Sequence, residues 1–486
     1  MTETEILYLN PNYLIRHDET RSLLCARHEN DGNYSKGFFS FIHPYYAELL
    51  ALFNGGNTIE EVIARTHLGI KFGRKIIEFI NKITENEKSY KVEWGDTQFL
   101  FPKNLLLRKS DDCIIDKNII STDFSFKNLD FKTSKLNFPI YITYMINTVC
   151  YTDCIYCYAD CRVRKKRQLP IKKVMELLDE IEESPILDFT IMGGEFLLDE
   201  NWEMILSRLH QLNLFPVIST KIPISEDIIR RLKKVGVKKI QISLDSINPK
   251  VLSRLLKVDG EKYLLNMRRT LLLLKEYGIR VKINSVFTHY NCSIDELSKL
   301  LDFFSEFSVD SVTVIPAGIS MYKSLEYMPS EEAINSITEY IEKVKDNYNY
   351  TLSMPYAIPK DSIEGTALQK DKYFTNRSLC TGNLWQAFIM PNGDVTFCEG
   401  TMSHPSFVLG NICDRPFREV WKTIMPQFLN QDYYNKSACG NCPDFESCHT
   451  EKGVCWKYII QGYGGENVYY PDPRCPKALA LKNRIY

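Results

Sequence analysis

The sequence predicts an α/β protein whose central part is a partial (β/α)6 TIM-like barrel. Between residues 136 and 350, strand-like runs alternate with amphipathic helical stretches such as IKKVMELLDEIEE and SEDIIRRLKKVG. Serial β–α units of this kind favour a parallel sheet, here curled into an open barrel. Residues with distinctive chemistry follow the strand ends, which is where such barrels bind their ligands. The six strand-like runs are FPIYITYMI, DFTIM, LFPVIST, KKIQISLDS, IRVKINSVF and SVTVIP.

The composition is that of a globular protein. Of the 486 residues, 44% are hydrophobic and 25% are charged, so two to four folded domains are expected. The formal net charge of −1 argues against binding nucleic acid through bulk electrostatics. The sequence shows neither a signal peptide nor an apolar run long enough for a bilayer, which predicts a cytoplasmic protein without a membrane partner. In a reducing compartment, the 15 cysteines are expected to bind metal rather than form disulfides.

Residues 1–105 are predicted to form a separate winged-helix-like domain. Short strands are expected in ILYLNPNYLIRHDE and GFFSFIH. A first helix, PYYAELLALFNGG, should end at Gly55 and Gly56, and a second should begin after Thr58, whose side chain can cap it. KFGRKIIEFINKITEN is expected to be the third helix. Because the region has no basic recognition helix, it is interpreted as an interaction domain rather than a DNA-binding domain.

Three closely spaced cysteines follow the first barrel strand. Cys150, Cys154 and Cys157 have the spacing C-x3-C-x2-C in the string CYTDCIYC. Three thiolates in one loop can hold three corners of a [4Fe–4S] cube and leave the fourth iron open to a small molecule. The alternative is a structural zinc loop.

A glycine pair and a carboxylate follow the second strand, as Gly193, Gly194 and Glu195. The cysteine spacing and this Gly-Gly-Glu string together resemble the radical S-adenosyl-L-methionine (SAM) enzymes. The resemblance implies that the open iron binds SAM, that Gly193, Gly194 and Glu195 bind its amino group, and that an injected electron splits SAM to give a 5′-deoxyadenosyl radical. Glycines permit a close approach to the backbone, and a carboxylate accepts hydrogen bonds from an ammonium group.

Further SAM contacts are implied at other strand ends. Tyr156 matches the aromatic position that lies near adenine in the family. The usual arginine for the SAM carboxylate is not identified, and Arg254 and Lys257 are both candidates. The polar positions that match the family are Ser219, Ser243, Asp245 and Asn284.

The C-terminal region, residues 375–486, carries a second set of cysteines. Their spacing resembles the SPASM domain, which adds two auxiliary [4Fe–4S] clusters to peptide-modifying radical SAM enzymes. The family pattern implies one cluster on Cys439, Cys442, Cys448 and Cys475. It implies an inner cluster on Cys380, Cys398 and Cys455. No fourth cysteine is obvious for this cluster, so an open iron is hypothesised, and Cys413 is the only spare thiol nearby. A zinc ribbon on Cys439, Cys442, Cys448 and Cys455 is the alternative.

The remaining cysteines, Cys25, Cys113, Cys161 and Cys292, are interpreted as ordinary thiols. Glu399 directly follows Cys398, at the position of a general base in sulfatase-maturing relatives, and is the candidate catalytic residue. A surface loop glutamate is the alternative. The basic run RVRKKRQLPIKK, residues 162–173, is interpreted as a solvated segment or as a docking site for an acidic electron donor such as flavodoxin or ferredoxin.

The N-terminal domain is similar to the peptide-recognition domains of ribosomal peptide maturases, through His43, Pro44, Gly56 and the run Thr58 to Glu61. Such domains hold a precursor's leader as an added strand. The resemblances together imply a radical SAM maturase that installs a thioether or carbon–carbon cross-link in a ribosomally synthesised precursor peptide. Alternatives are a formylglycine-forming sulfatase-type maturase, a peptide epimerase and a non-catalytic iron–sulfur scaffold.

Overall fold

The computed structural model divides the chain into two compact units. The first comprises Met1–Tyr141 and Asp179–Asp188, and the second comprises Ile142–Leu178 and Phe189–Tyr486. Cys113 and residues 162–167 of the basic run lie outside the described part of the chain. The described residues are 4–27, 37–66, 69–109, 123–159, 161, 168–320, 325–355, 360–402, 404–483 and 485.

Antiparallel sheets dominate the described part of the first unit. Its strands are β1 (Ile6–Leu9), β2 (Tyr13–Asp18), β3 (Arg21–Ala26), β4 (Phe39–Ile42), β5 (Asn54–Thr58), β6 (Tyr90–Trp94), β7 (Thr97–Phe101) and β8 (Leu106–Arg108). They form a sheet in the order β5-β1-β8, a second in the order β2-β3-β4, and a β6-β7 hairpin. The sequence indicated only β1, β2 and β4, so the unit has more strands than expected.

The three helices predicted for the first unit are present, as α1 (Pro44–Ala51), α2 (Ile59–Arg65) and α3 (Gly69–Ile83). Thr58 caps α2 as predicted: its hydroxyl accepts from the Glu61 amide at 3.2 Å, and the Glu61 carboxylate accepts from the Thr58 amide at 2.8 Å. The predicted end of α1 at Gly55 and Gly56 is wrong. Both glycines lie in β5, because pairing with β1 takes that backbone into a sheet.

All six predicted barrel strands are found, and a seventh follows them. The strands are β9 (Tyr141–Met145), β10 (Asp188–Met192), β11 (Ile218–Thr220), β12 (Lys239–Ser243), β13 (Arg280–Phe287), β14 (Val309–Pro316) and β15 (Thr351–Ser353). The helices between them are α4 (Ile171–Glu183), α5 (Trp202–Gln211), α6 (Glu226–Lys234), α7 (Pro249–Leu256), α8 (Gly260–Glu276), α9 (Ile294–Phe304) and α10 (Glu331–Val344). The predicted α/β class is confirmed.

The barrel strands occur in two sheets. β11 to β15 pair in chain order, and every pairing is parallel. β9 pairs with β10 and with the first strand of a C-terminal hairpin. Because parallel strands direct their carboxyl ends to one edge, the loops that leave β9 to β13 converge on one region.

The C-terminal region consists of short elements joined by long loops. They are α11 (Lys360–Ile363), α12 (Ala367–Thr375), β16 (Gln386–Ile389), β17 (Asp394–Thr396), β18 (Gly410–Asn411), α13 (Phe417–Trp421) and α14 (Trp456–Tyr463). β16, β17 and β18 pair antiparallel in chain order. No helix in the described part of the chain is both long and apolar enough to cross a bilayer.

Candidate iron–sulfur and SAM-binding site

The loop after β9 brings Cys150 and Cys154 together. The Thr152 hydroxyl lies 3.3 Å from the Sγ atoms of both cysteines. The Cys157 amide donates to the Cys154 carbonyl at 3.1 Å, which turns the loop so that Cys157 and Cys150 pack against the same small core. Burial raises the pKa of the Cys154 thiol to about 11, so this thiol is protonated until a metal displaces its proton.

The two glycines after β10 pack against this loop. The Gly194 amide donates to the Asn147 carbonyl at 2.9 Å, and the Glu195 amide donates to the Val149 carbonyl at 2.7 Å. A Cβ atom at Gly194 would lie 2.0 Å from the Val149 oxygen, and one at Gly193 would lie 2.8 Å from the Asn147 oxygen. The glycines are therefore required by the backbone of the cysteine loop, a reason that the sequence did not indicate.

Glu195 is buried beside the same loop. Its carboxylate accepts from the amides of Leu197 at 3.4 Å and Lys221 at 3.3 Å. Burial outweighs these hydrogen bonds and raises the pKa of Glu195 to about 7. A buried carboxyl with this pKa can take up a cationic ligand in its ionised form near neutral pH.

Asp245 is the centre of a polar network next to Glu195. Its side chain is fully buried and accepts from Lys221 Nζ at 3.1 and 3.0 Å, from the Val286 amide at 2.9 Å and from the Tyr156 hydroxyl. Lys221 Nζ also lies 5.5 Å from the centre of the Tyr156 ring. The structure thus brings Tyr156, Asp245 and Glu195 together and adds Lys221, which sequence reasoning missed.

The two basic residues considered for the SAM carboxylate have other surroundings. Arg254 stacks 3.7 Å above the Tyr290 ring and donates to its hydroxyl at 3.1 Å in an exposed position. Lys257 ends α7 in the left-handed conformation. A signal for Lys221 was present in the sequence, because it directly follows the end of β11, as the other site residues follow their strands.

The three remaining polar positions share one face of the parallel sheet. Ser243 is opposite Asn284 in the β12–β13 register, and Asn284 is opposite Thr313 on β14. Ser219 is opposite Gln241, which lies two residues before Ser243. The Ser219 hydroxyl accepts from the side-chain amide of Gln241 at 2.8 Å. Since side chains alternate along a strand, these residues project from the same side. They form a polar row leading from the strand ends.

The cysteine loop packs against the C-terminal hairpin. Cys150 and Cys157 contact a core that includes Phe388 of β16, together with Met390 and Met402. Cys161, interpreted from the sequence as an ordinary thiol, is buried in this same core, with its Sγ 3.6 Å from the Ala159 carbonyl. The first cysteine set and the C-terminal region therefore share one packed interior.

Four C-terminal cysteines line one cavity. The cavity measures about 540 Å³, and its cysteines are Cys439, Cys442, Cys448 and Cys475. Gln431 holds two of them in register, because its side-chain amide donates to the Cys439 and Cys442 carbonyls at 2.9 Å each. Cys448 lies on a single π-helical segment, Ser447–Lys452, an irregularity often found at functional sites.

Cys380, Cys398 and Cys455 are not among the residues that line this cavity. Cys380 is close enough to act electrostatically on both Cys398 and Cys455. The Gly400 amide donates to Cys398 Sγ at 3.3 Å. The described contacts of Cys413 are with Asn411, whose side chain accepts from its amide at 2.8 Å, and with Gly393.

The arrangement of the cysteines fits iron–sulfur clusters better than zinc. Zinc requires four ligands within about 2.3 Å of one ion. Cys455, the fourth member of the zinc alternative, is not among the residues that line the cavity with Cys439, Cys442 and Cys448. A cluster with one thiolate on each iron needs more widely separated cysteines.

Known proteins share these features. Residues 144–304 match the Radical SAM superfamily, and residues 380–443 match SPASM, an iron–sulfur cluster-binding domain. Fold, cysteine sets and matches together define an iron–sulfur enzyme that uses SAM. More specifically, the chain is a radical SAM enzyme with a C-terminal SPASM domain, and its cofactors are SAM, a SAM-binding [4Fe–4S] cluster and auxiliary clusters.

Several relatives are similar over most of their length. "Mycofactocin maturase MftC" of Mycobacterium ulcerans is 23% identical over 70% of this chain and 88% of the relative. "PqqA peptide cyclase" of Granulibacter bethesdensis is 18% identical over 67% of this chain and 84% of the relative. The crystal structure of Streptococcus suis SuiB has a TM-score of 0.63 at 16% identity and covers 96% of this chain and 99% of SuiB.

Proposed function

We propose that this enzyme is a maturase that cross-links a ribosomally synthesised precursor peptide through a thioether or carbon–carbon bond. The observation that carries the proposal is the shared core between the SAM-type cysteine loop and the C-terminal hairpin, because it packs the radical source against the hairpin that leads into Cys398. The names of the relatives support it: two are a maturase and a peptide cyclase, and SuiB has been crystallised with the precursor peptide SuiA.

A cross-link removes two hydrogen atoms from the peptide, which amount to two protons and two electrons. When bound, the clusters and SAM supply a 5′-deoxyadenosyl radical, which takes one hydrogen atom, and an acceptor for the remaining electron. A donor such as flavodoxin or ferredoxin would supply the electron that cleaves SAM. The remaining proton needs a base on the protein.

Glu399 is the proposed base. It directly follows Cys398, and its carboxylate lies 3.3 Å from Lys457 Nζ at the start of α14. The side chains are partly exposed, at 41% for Glu399 and 38% for Lys457, so solvent can carry away a proton. The contact with the Lys457 ammonium fixes the position of the Glu399 carboxylate beside Cys398, where a carboxylate could accept a proton from the peptide.

The N-terminal domain, residues 1–105, is proposed to hold the leader of the precursor. Its sheets end in strands that can accept an added strand through backbone hydrogen bonds. Recognition through backbone hydrogen bonds does not depend on individual side chains of the leader. The second and third proposed domains are the radical SAM core, residues 136–350, and the SPASM domain, residues 375–486.

Co-expression with the precursor peptide under anaerobic conditions tests the function. We expect the peptide to lose the mass of two hydrogens for each cross-link, and fragment masses to distinguish a thioether from a carbon–carbon bond. With the Cys150→Ala enzyme, the mass of the peptide should not change. With the Cys292→Ala enzyme, which lacks a thiol outside the candidate site, the peptide should still lose the mass of two hydrogens for each cross-link. An unchanged mass with deuterium uptake from solvent would instead identify an epimerase.

The affinity for SAM is expected to rise with pH. Glu195 is the proposed ligand of the SAM ammonium, and its pKa is raised to about 7, so it is mostly neutral at pH 6 and mostly ionised at pH 7.5. Ionisation of Glu195 alone should tighten binding about eightfold over this interval, and partial deprotonation of the SAM ammonium near pH 7.5 should reduce the net gain to about sixfold. Equilibrium dialysis measures the Kd, and Glu195→Gln should bind weakly at both pH values. An affinity that falls as pH rises would remove Glu195 from this role.

A further inference from the structure

Two cations donate directly to thiols of the four-cysteine cavity. Arg377 Nη2 lies 3.3 Å from Cys448 Sγ, and Lys477 Nζ lies 3.3 Å from Cys442 Sγ. Both cations line the cavity, together with a third, Lys452. The donors act on different cysteines, so each would contact a separate corner of a cluster held by these thiolates.

Arg377 is fixed in place by several independent contacts. Its guanidinium donates to the carbonyls of Phe374 at 2.6 Å, Gly453 at 3.1 Å and Cys448 at 3.2 Å, and it stacks 3.8 Å above the Phe374 ring. A planar guanidinium held at four points has little freedom to turn away from the sulfur. Its charge is therefore a permanent part of the surroundings of Cys448.

Lys477 and Lys452 form a natural contrast. Lys477 is two residues after Cys475, is exposed, and directs its ammonium group to Cys442 Sγ. Lys452 has the same charge and lines the same cavity, but its ammonium group donates to the Thr375 carbonyl instead. Comparing the two lysines separates a direct bond to sulfur from a general effect of positive charge.

The charge of the only strongly buried acid in this lining is already balanced. The Asp472 side chain is fully buried and accepts from Arg474 at 2.9 and 2.7 Å and from the Cys455 amide at 2.8 Å. It therefore connects the cavity to the inner cysteine set without adding an unpaired negative charge. Within the described contacts of this cavity, the groups that donate to its thiols are the two cations, the Ser437 side chain at Cys439 and the Lys477 backbone amide at Cys475.

We propose that Arg377 and Lys477 raise the reduction potential of the auxiliary cluster held by Cys439, Cys442, Cys448 and Cys475. A reduced cluster carries one more negative charge than an oxidised one, and hydrogen bonds and cations at its sulfurs stabilise that charge. The higher potential favours transfer of the electron removed from the peptide to this cluster, which is then reoxidised by the oxidised form of the flavodoxin- or ferredoxin-type partner. The inference rests on the proposed electron-accepting role, but the potential is measured without any peptide.

The test is a spectroelectrochemical titration of the reconstituted full chain. Cys150→Ala, Cys154→Ala and Cys157→Ala together provide a background without the SAM-binding cluster, and Cys398→Ala in that background identifies the inner couple. Arg377→Met is expected to lower the equilibrium constant for reduction of the outer cluster about tenfold. For a one-electron couple this lowers the reduction potential by about 59 mV. Lys477→Met should give about a threefold effect because it is exposed to solvent. Arg377→Lys should lie between wild type and Arg377→Met.

Lys452→Met is the matched control and should leave both couples unchanged. The iron and sulfide content of each variant must equal that of the parent protein. If Arg377→Met fails to hold its cluster, the Lys477→Met variant decides the question, because Lys477 is exposed. Equal potentials in Lys477→Met and Lys452→Met would overturn the proposal, as would a shift of the inner couple alone. If the variants shift the outer potential as expected but the wild-type enzyme leaves its precursor peptide unmodified, the proposed function is contradicted and this inference stands.

Discussion

Replacing Gly194 with alanine is expected to lower the rate of 5′-deoxyadenosine formation from SAM by at least about a hundredfold, the cost of displacing a reactive group by 1 Å or so. The added Cβ would lie 2.0 Å from the oxygen, 2.6 Å from the carbonyl carbon and 2.9 Å from the nitrogen of Val149. All three atoms belong to backbone and cannot rotate away. Since Val149 directly precedes Cys150, the clash must displace the first cysteine of the loop or break the bond from the Glu195 amide.

Gly318→Ala is the matched control for this prediction. A Cβ at Gly318 would meet nothing within 4 Å, and its backbone does not adopt a positive φ. Both variants add one methyl group in the same unit, so only the position differs. The readout is 5′-deoxyadenosine produced with dithionite, normalised to iron content. A Gly194→Ala enzyme with wild-type turnover would show that the loop tolerates the displacement and that the glycine pair serves another purpose.

The sequence predicted the barrel well because its signals are local. Each of the six strands is a short apolar run bounded by amphipathic helices, and each has a counterpart in the structure. The cysteine sets were likewise visible as spacings. These signals could not give every reason for a residue. The glycine pair was predicted to let a ligand approach the backbone, and the structure adds that Cβ atoms there would clash with the cysteine loop.

Long-range contacts account for the residues that sequence reasoning missed. The sequence places Lys221 directly after β11, but only the pairing of β11 with β12 brings it against Asp245, 24 positions along the chain. Cys161, interpreted as an ordinary buried or surface thiol, is buried, and its neighbours include Phe388 of the distant C-terminal hairpin. In the first unit, Gly55 and Gly56 resemble a helix end, but pairing with β1 decides their conformation. Each case depends on a partner that is distant in sequence.

Asp245→Ala is expected to destabilise the second unit by about 3–5 kcal/mol and to abolish SAM binding. The substitution leaves the Lys221 ammonium, only 15% exposed, without its partner, and it also removes the acceptor of the Tyr156 hydroxyl and the Val286 amide. An uncompensated buried cation accounts for most of the expected cost. Asp245→Asn should recover part of the stability, because an amide oxygen can still accept from one of these donors.

Asp310→Ala is the comparison variant, because the Asp310 carboxylate is partly exposed whereas that of Asp245 is buried. Asp310 also has two basic partners, Lys239 at 3.6 Å and Arg280 at 3.5 Å, but its side chain is 31% exposed. Solvent screens such pairs, so the cost should stay below about 1 kcal/mol. Urea unfolding of the cluster-free protein measures both variants on one scale. Equal midpoints for the two variants would mean that Lys221 finds solvent when Asp245 is removed, and that the network positions SAM without supporting the fold.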